Sequence, residues 1–555
     1  MPMDRRTFLR AGLGAAGTLM VAGCTSSDEP DGQAGSTGRP TVRVAGGGLP
    51  SFPSPFTYFL APGYNSMILI YDTLLCNDVA GQLLPWLAKE MPTRSDDGLT
   101  YTFELHENVR WHDGQPLTAD DVVFTFEYFA GQTLSPTVSV QPRNVAEVRQ
   151  TGPFSVEFVL DLPIVNFNQQ VAGAVPIVPR HIWSQVPDAA RAQELELLVG
   201  SGPYRLESFS PAEGSSLYVA NDDFFLGQPY VERVEVVPVG SELDALLAGV
   251  VEVGQPDVQG AGAAALTPFR SDPSFEIIEG PAGTGFLSGL NWNVAAGGAV
   301  SDPRFRHACA TAIDRNDMVA RLLGGAGAPG NPGFFPPDHP YRVDVEQYPF
   351  DPVRAGQILD EAGYPMGGGG MRQGPDGQPL RIELLSPAAA PQTELIVSYL
   401  TDVGVGLDVQ SIDTFQIITR LNSGDYQMAV HPGGGVAGAP DFMRQNYSSE
   451  AEVELFFGAH GYVNPEFDQL AREQLVTVDE AERKRMFARM QQIVAEDLPL
   501  LHLYYPTPVL VFRKGGFDAW GFPDPDTLYN PETGSSPKQA YVTGTTSGTE
   551  IRSTG

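Results

Sequence analysis

Between Leu380 and Val430 the chain repeats one pattern that constrains its architecture more than any other feature. Leu380 to Leu385, Val405 to Val409 and Tyr426 to Val430 read as strands, and Thr393 to Val403 and Phe415 to Leu421 read as the helices between them. Strands that alternate with helices argue for an α/β fold. The same patterns recur elsewhere. Tyr101-Thr102-Phe103-Glu104-Leu105 alternates apolar and polar residues, as a half-buried strand does. Beyond the turn at Asp113-Gly114, Thr118 and Asp121 have capping-box spacing, and Val122, Phe126 and Phe129 share one face of the helix they open. Asp351-Pro352 starts a helix in the N-cap then N1 manner, and Gly363 closes it. Asp479 to Asp497 is the longest helical pattern, with Phe487, Met490 and Val494 inward. The chain has 555 residues. One hydrophobic core stops growing at ~250–300 residues, so at least two cores are expected.

The first forty residues are of another kind. Met1 to Arg10 is basic, Ala11 to Gly23 is a short apolar run, and Cys24 follows. A basic start, a short apolar core and small residues before a cut site describe an export signal. The run is too short for a spanning helix, which needs ~20 residues. Arg5-Arg6 followed by Phe8-Leu9 resembles a twin-arginine export signal. Val21-Ala22-Gly23-Cys24 resembles a bacterial lipobox, whose cysteine is lipidated and becomes the new N-terminus. Residues 1–23 are therefore expected to be a twin-arginine-type lipoprotein signal peptide, with Cys24 the lipidation site. Residues 24–40 are polar and rich in Gly, Ser and Pro, and are expected to form a flexible tether spanning roughly 20–25 Å. The expected location is extracytoplasmic, on the outer face of the cytoplasmic membrane, with the lipid as the only membrane contact.

Asp and Glu outnumber Lys and Arg 67 to 34, a net charge of −33. Such a surface repels phosphate backbones and anionic headgroups, which argues against nucleic-acid binding. After Cys24 only Cys76 and Cys309 remain, too few for a disulfide framework. A single bridge between them is one option. Two buried thiols fit better, because Cys309 lies on the apolar face of a predicted helix.

Motifs for chemistry are absent or misplaced. Gly12 to Gly17 fits GxGxxG but lies in the export signal, and Gly325 to Gly330 follows a helix rather than a strand. Ser535 to Lys538 fits SxxK within a Gly/Ser/Pro stretch that reads as surface. The eight histidines are scattered, none pairs at i, i+4, and His106 and His112 flank a turn. Asp113 and Asp121 read as turn and cap residues, Asp302 and Asp351 as helix starts. No metal, no cofactor and no catalytic residue is expected.

Longer motifs carry a family resemblance. Y-D-T-L-L (71–75), L-P-W-L-A (84–88), D-D-G-L-T-Y-T-F-E-L (96–105) and V-R-W-H-D-G-Q-P-L-T-A-D-D-V-V-F-T-F-E (109–127) resemble the signature of family 5 extracytoplasmic solute-binding proteins. G-P-Y (202–204), N-W-N (291–293), D-P-R-F-R-H-A-C-A-T-A-I-D-R (302–315), F-D-P-V-R-A-G-Q-I-L-D-E-A-G-Y (350–364), G-Y-V-N-P-E-F-D-Q-L (461–470) and E-D-L-P-L-L-H-L-Y-Y (496–505) continue it in family order. The resemblance implies a two-lobed, periplasmic-binding-protein-like (type II) α/β fold with an additional inserted domain and two crossing strands. By analogy lobe I is residues 41–64, 200–273 and 491–555, the inserted domain is 65–199, and lobe II is 274–490. Phe305, Ala308 and Ala312 read as the core stripe of a helix.

Ligand contacts are expected where polar, Gly-rich or aromatic loops follow lobe strands, because such loops border the crevice at strand carboxyl ends. Three segments qualify: the loop after the opening strand, with Phe52, Phe56 and Tyr58; Trp292-Asn293; and His431 to Asp441 followed by Asn446. Aromatic faces supply area and glycines admit close backbone approach; core packing is the competing role for each ring. In the third segment His431, Gly434, Val436 and Asp441 are candidates. Peptide-binding relatives often carry there a Trp and an Asp, the Asp pairing with the ligand's α-ammonium group. Counting back from Pro440, those places hold Gly433 and Val436, so the amine anchor lacks its carboxylate; Asp441 could replace it only in a re-threaded loop.

The expected function is that of a non-enzymatic, monomeric, lipid-anchored binding protein. It would close two lobes around a ligand and deliver it to the permease subunits of an ABC transporter. Peptide is the leading ligand class. An oligosaccharide or another uncharged solute, a secreted hydrolase on the same scaffold, and a receptor that hands over no ligand are the alternatives.

Overall fold

A computed structural model describes residues 38–552 apart from 47–51, 59, 135–143, 256–262, 285–286, 389, 434–437, 451–457, 525 and 528–535. The export signal, Cys24, Gly434, Val436 and all of the tether but Gly38 to Pro40 lie outside the described residues.

Two mixed sheets carry the body. The first has seven strands in the order Phe275–Glu279, Val509–Arg513, Val253–Gly254, Thr41–Gly46, Arg233–Pro238, Ser215–Ala220 and Tyr204–Ser210. The second has six, in the order Gly327–Pro329, Leu500–Pro506, Leu287–Trp292, Met428–Gly433, Arg381–Pro387 and Gly406–Ile412. Between Thr41–Gly46 and Tyr204–Ser210 the chain builds a separate four-stranded antiparallel sheet, Thr93–Arg94, Thr100–Glu104, Ser155–Leu160 and Val145–Gly152. This is the two-lobed α/β architecture with an inserted unit. Sheet membership moves both crossings. Phe275–Glu279, expected in lobe II, pairs in the first sheet, and Leu500–Pro506, expected in lobe I, lies in the second. The chain therefore crosses after Glu279 and after Pro506 rather than at 274 and 491. The physical reason is pairing: among the described residues Phe275–Glu279 finds its strand partner in Val509–Arg513.

Local signals decided the elements. Helix Ala119–Ala130 begins where Thr118 donates its backbone N–H to the Asp121 carboxylate at 2.9 Å, and it buries Val122, Phe126 and Phe129. Helices Pro303–Ala312 and Pro352–Glu361 start at Asp302 and Asp351, whose carboxylates accept from Arg304 and Arg354 N–H. Phe305, Ala308 and Ala312 line the second core. Helix Glu480–Asp497 buries Phe487, Met490 and Val494. Cys76 and Cys309 are both buried and free, and burial pushes the Cys76 thiol up to about 12.

Lys538, read as surface, is fully buried. Its Nζ donates to the Asp72 carboxylate at 2.5 Å and to the Tyr71 carbonyl at 2.7 Å, and sits 5.3 Å from the Trp86 ring centre. Asp72 also accepts from Trp86 Nε1 and Ser201 Oγ, both at 2.8 Å. Helix Lys538–Thr543, 466 positions from Asp72, is thereby drawn into the first core. The neighbouring Gly202 has a packing reason: its N–H reaches the Ile70 carbonyl at 2.8 Å, and a Cβ there would stand 2.5 Å from the same oxygen.

Removing one partner of a buried pair leaves an uncompensated charge at a cost of about 3–5 kcal/mol. Lys538→Met is expected to lower urea-unfolding stability by that amount. The double variant Asp72→Asn, Lys538→Met is expected to recover part of the loss, since both charges are then gone.

Candidate functional site

Strand register locates the crevice. In the first sheet Thr41–Gly46 runs parallel to Arg233–Pro238 and Val253–Gly254, with Gly46 beside Pro238. Glu279 and Val509, where the crossings enter and leave, pair at that same edge. In the second sheet Arg381–Pro387, Gly406–Ile412 and Met428–Gly433 are parallel, and Leu287 pairs with Gly433 at their carboxyl edge. Tyr504 stands opposite Ser288, so the other crossing also leaves from this edge. The crossings run side by side, Gly280 N–H donating to Pro508 O at 2.9 Å and Gly283 N–H to Pro506 O at 3.3 Å. Both sheets thus turn the carboxyl ends of their parallel strands to the crossings, the edge at which open α/β sheets bind ligands.

The residues named from sequence mostly do other work. Phe52, Phe56 and Tyr58 are buried in the first core. Phe52 packs on Phe209 at 5.9 Å, Phe56 on Phe129 at 4.6 Å and Trp183 at 4.7 Å, and Tyr58 on Tyr64 at 5.7 Å. The core-packing role won: rings of the inserted unit meet Phe56, and Phe52 and Tyr58 meet rings of the first lobe. Trp292 is fully buried and pairs with Met428, at the amino end of Met428–Gly433. Leu287–Trp292 runs antiparallel, so its carboxyl end lies about 17 Å from the crevice edge. Asn293 donates to Gly424 O and Tyr426 O at 2.8 and 3.0 Å and accepts from Ala295 N–H, fixing a turn. Asn446 donates to Phe442 O at 2.8 Å, one helical turn back. His431 pairs through its backbone with Gly289 near the edge.

Asp441 is buried and committed. Arg444 Nε and Nη2 reach its two oxygens at 2.8 and 2.9 Å, and Gln474 Nε2 donates at 2.5 Å. Burial pushes its carboxyl up, but the Arg444 charge and these hydrogen bonds outweigh that and hold it below the ordinary range. It cannot also receive a ligand ammonium without breaking this set.

Sequence reading missed the polar groups at the second sheet's edge. Ser386 Oγ and Thr393 Oγ1 are hydrogen-bonded at 2.6 Å, and Gln392 Nε2 donates to Ser288 Oγ at 3.1 Å. All four are buried, and Gln392 Oε1 has no partner. Gln392 and Thr393 belong to the first turn of helix Pro391–Asp402, directly after Arg381–Pro387. The signal was S-P-A-A-A-P-Q-T (386–393), polar residues flanking a strand–helix turn. His339 was also missed. Its Nδ1 accepts from Tyr341 N–H at 3.1 Å, so Nε2 carries the proton and donates to Gly438 O at 2.9 Å. It pins the end of the loop that follows Met428–Gly433. Among the described residues no group of three His, Cys, Asp or Glu could hold a metal ion, and no helix is long and apolar enough to cross a membrane.

Residues 82–454 match the family described as bacterial extracellular solute-binding proteins, family 5 Middle. Protein XP55 of Streptomyces lividans is 28% identical over 503 residues, covering 89% of this chain and 89% of its own. The oligopeptide-binding protein AppA of Bacillus subtilis, solved with a nonapeptide, superposes with a TM-score of 0.72 at 22% identity over 89% of this chain and 98% of its own. A mannohexaose-bound periplasmic oligopeptide-binding protein of Thermotoga maritima gives 0.74 at 24% identity, over 91% and 98%.

Acid should loosen the loop anchor. Burial pushes the His339 pKa down to about 4, against ~6.5 when unfolded. Between those values the unfolded chain holds a proton that the folded chain does not, so this stability is complete above ~6.5 and is lost as pH falls toward 4. His112, held between Gly200 N–H and Gly202 O and also pushed to about 4 by burial, acts in the same direction. The melting temperature is expected to fall from pH 6.5 to 4, and His339→Gln to show a shallower fall across that range.

Proposed function

The chain belongs to family 5 of the bacterial extracellular solute-binding proteins, and we propose that it captures a peptide in the crevice between its two sheets and delivers it to an ABC importer. The observation that carries this reading is the crevice edge itself. The chain passes between the lobes at the two adjacent crossings, about which the lobes can rotate, and ligand bound between the lobes favours the closed arrangement by its differential affinity. Gln392 Oε1, an acceptor without a partner among the described residues, suits a peptide N–H, and the Ser288, Ser386 and Thr393 hydroxyls beside it are neutral.

Two features favour a second reading, an oligosaccharide or another uncharged solute. Asp441 is already neutralised, and neutral hydroxyl and amide groups serve sugar hydroxyls equally well. The AppA complex with a nonapeptide and the Thermotoga complex with mannohexaose support one reading each. A lipid on Cys24 would keep the body at the membrane face where permease subunits work.

Thermal-shift measurement of the body from Thr41 separates the readings. A ligand at 100 times its Kd stabilises by about 2.7 kcal/mol. Mixed short peptides are expected to raise the melting temperature. A shift with oligosaccharides alone would replace the peptide reading with the second. For the anchor, cells fed labelled palmitate are expected to label the wild-type protein, and Cys24→Ala to remain unlabelled and be released from the membrane.

A further inference from the structure

Four arginines are buried among the described residues, and three of them are saturated. Arg306 donates to the carbonyls of Val300, Asp497 and Leu498; Arg315 to those of Gly330 and Tyr348; Arg372 to the Val403 and Tyr364 carbonyls and the Asp360 carboxylate. Arg483 differs. It is 7% exposed, and among the described residues its Nε has no partner and no carboxylate pairs with it, in a chain of net charge −33. Its guanidinium carbon lies 6.0 Å from the Tyr341 ring centre and 5.9 Å from that of Phe487. The Tyr341 hydroxyl is also buried without a partner, as is Nε of the next residue, Arg342, whose nearest acid is Asp344 at 3.7 Å. Lys484 stands 5.3 Å from the Tyr341 ring and is paired with Glu480 at 3.0 Å.

Gln491, fully buried, donates to Tyr341 O at 2.8 Å and accepts from Val343 N–H at 3.1 Å, clamping the 341–343 backbone to helix Glu480–Asp497. Hydrogen bonds also link the surroundings of these groups to the loop that follows Met428–Gly433. Tyr341 N–H binds His339, which binds Gly438 at the end of the loop after Met428–Gly433. Gln474, one helix earlier, binds Asp441 on that loop, and the next residue's carbonyl, Leu475 O, accepts from Val165 N–H of the inserted unit at 3.0 Å. Buried donors without acceptors cost stability unless an acceptor arrives. A planar guanidinium near a tyrosine whose hydroxyl lacks a partner is matched in geometry and charge by a carboxylate.

We propose that Arg483 and the Tyr341 hydroxyl receive a carboxylate of the captured solute, which makes that solute an acid; for peptides this rests on the reading above and assigns the site to the C-terminal carboxylate. The test uses melting temperatures and titration calorimetry on wild type, Arg483→Gln and Tyr341→Phe. The probes are malonate against chloride at equal ionic strength, and mixed short peptides as free acids and as C-terminal amides. Malonate is expected to stabilise wild type, less so Tyr341→Phe, which keeps the ring packing, and not Arg483→Gln. Free acids are expected to bind wild type about 10- to 100-fold more tightly than amides, with the ratio falling to about one in Arg483→Gln. The proposal is overturned if malonate stabilises wild type and Arg483→Gln alike, or neither, and the acid-to-amide ratio is unaltered by the substitution. If no peptide shifts wild type while the malonate shift depends on Arg483, the peptide reading fails and the carboxylate site stands.

Discussion

The buried pair of Asp72 and Lys538 is the interaction on which the first half of the molecule depends. Two charges out of water are tolerated only when their remaining hydrogen-bonding capacity is met. Here Trp86, Ser201 and the Tyr71 carbonyl meet it. Trp86, Ser201 and Lys538 come from three stretches of chain apart from Asp72, and one arrangement of those stretches satisfies the pair. The C-terminal helix becomes part of the first core through it, and Tyr541 then packs against Trp520 at 5.8 Å and Phe517 at 5.3 Å. The inserted unit and the first sheet are fixed to each other at the same point.

With that half fixed, the chain reaches the second sheet through the two crossings, which are hydrogen-bonded to each other. Their position at the carboxyl edges of both sets of parallel strands makes the hinge and the ligand edge one region. A movement of the lobes about the crossings therefore changes the crevice directly. The same topology explains why aromatic residues distant from that edge, such as Trp292, are core residues.

Polar groups around the crevice fall into two chemical kinds. Ser288, Ser386, Gln392 and Thr393 are neutral, and Asp441 is neutralised by Arg444, so the edge of the second sheet offers hydrogen bonds without net charge. Arg483 and Tyr341 lie further along the same lobe, reached through His339 and the loop it pins, and carry the positive counterpart. Among the described residues the other buried guanidinium groups donate to carbonyls or a carboxylate, which is why a buried one with an unpartnered Nε stands out.

Local chemistry was legible in the sequence. The capping pairs at Thr118–Asp121 and Asp351, the alternation from Leu380 to Val430, the inward stripe Phe487, Met490 and Val494, and the family motifs all act within a few neighbouring residues. They determined the elements, the α/β class and the two-lobed plan. The partner of Lys538, the sheet to which Phe275–Glu279 belongs, and the direction of Leu287–Trp292 depend on residues tens to hundreds of positions away. Only the tertiary structure decided these, and with them which polar side chains reach the crevice. Strand direction and long-range charge pairing are properties of the assembled sheets, because hydrogen-bond register and desolvation are set by whichever segment arrives alongside.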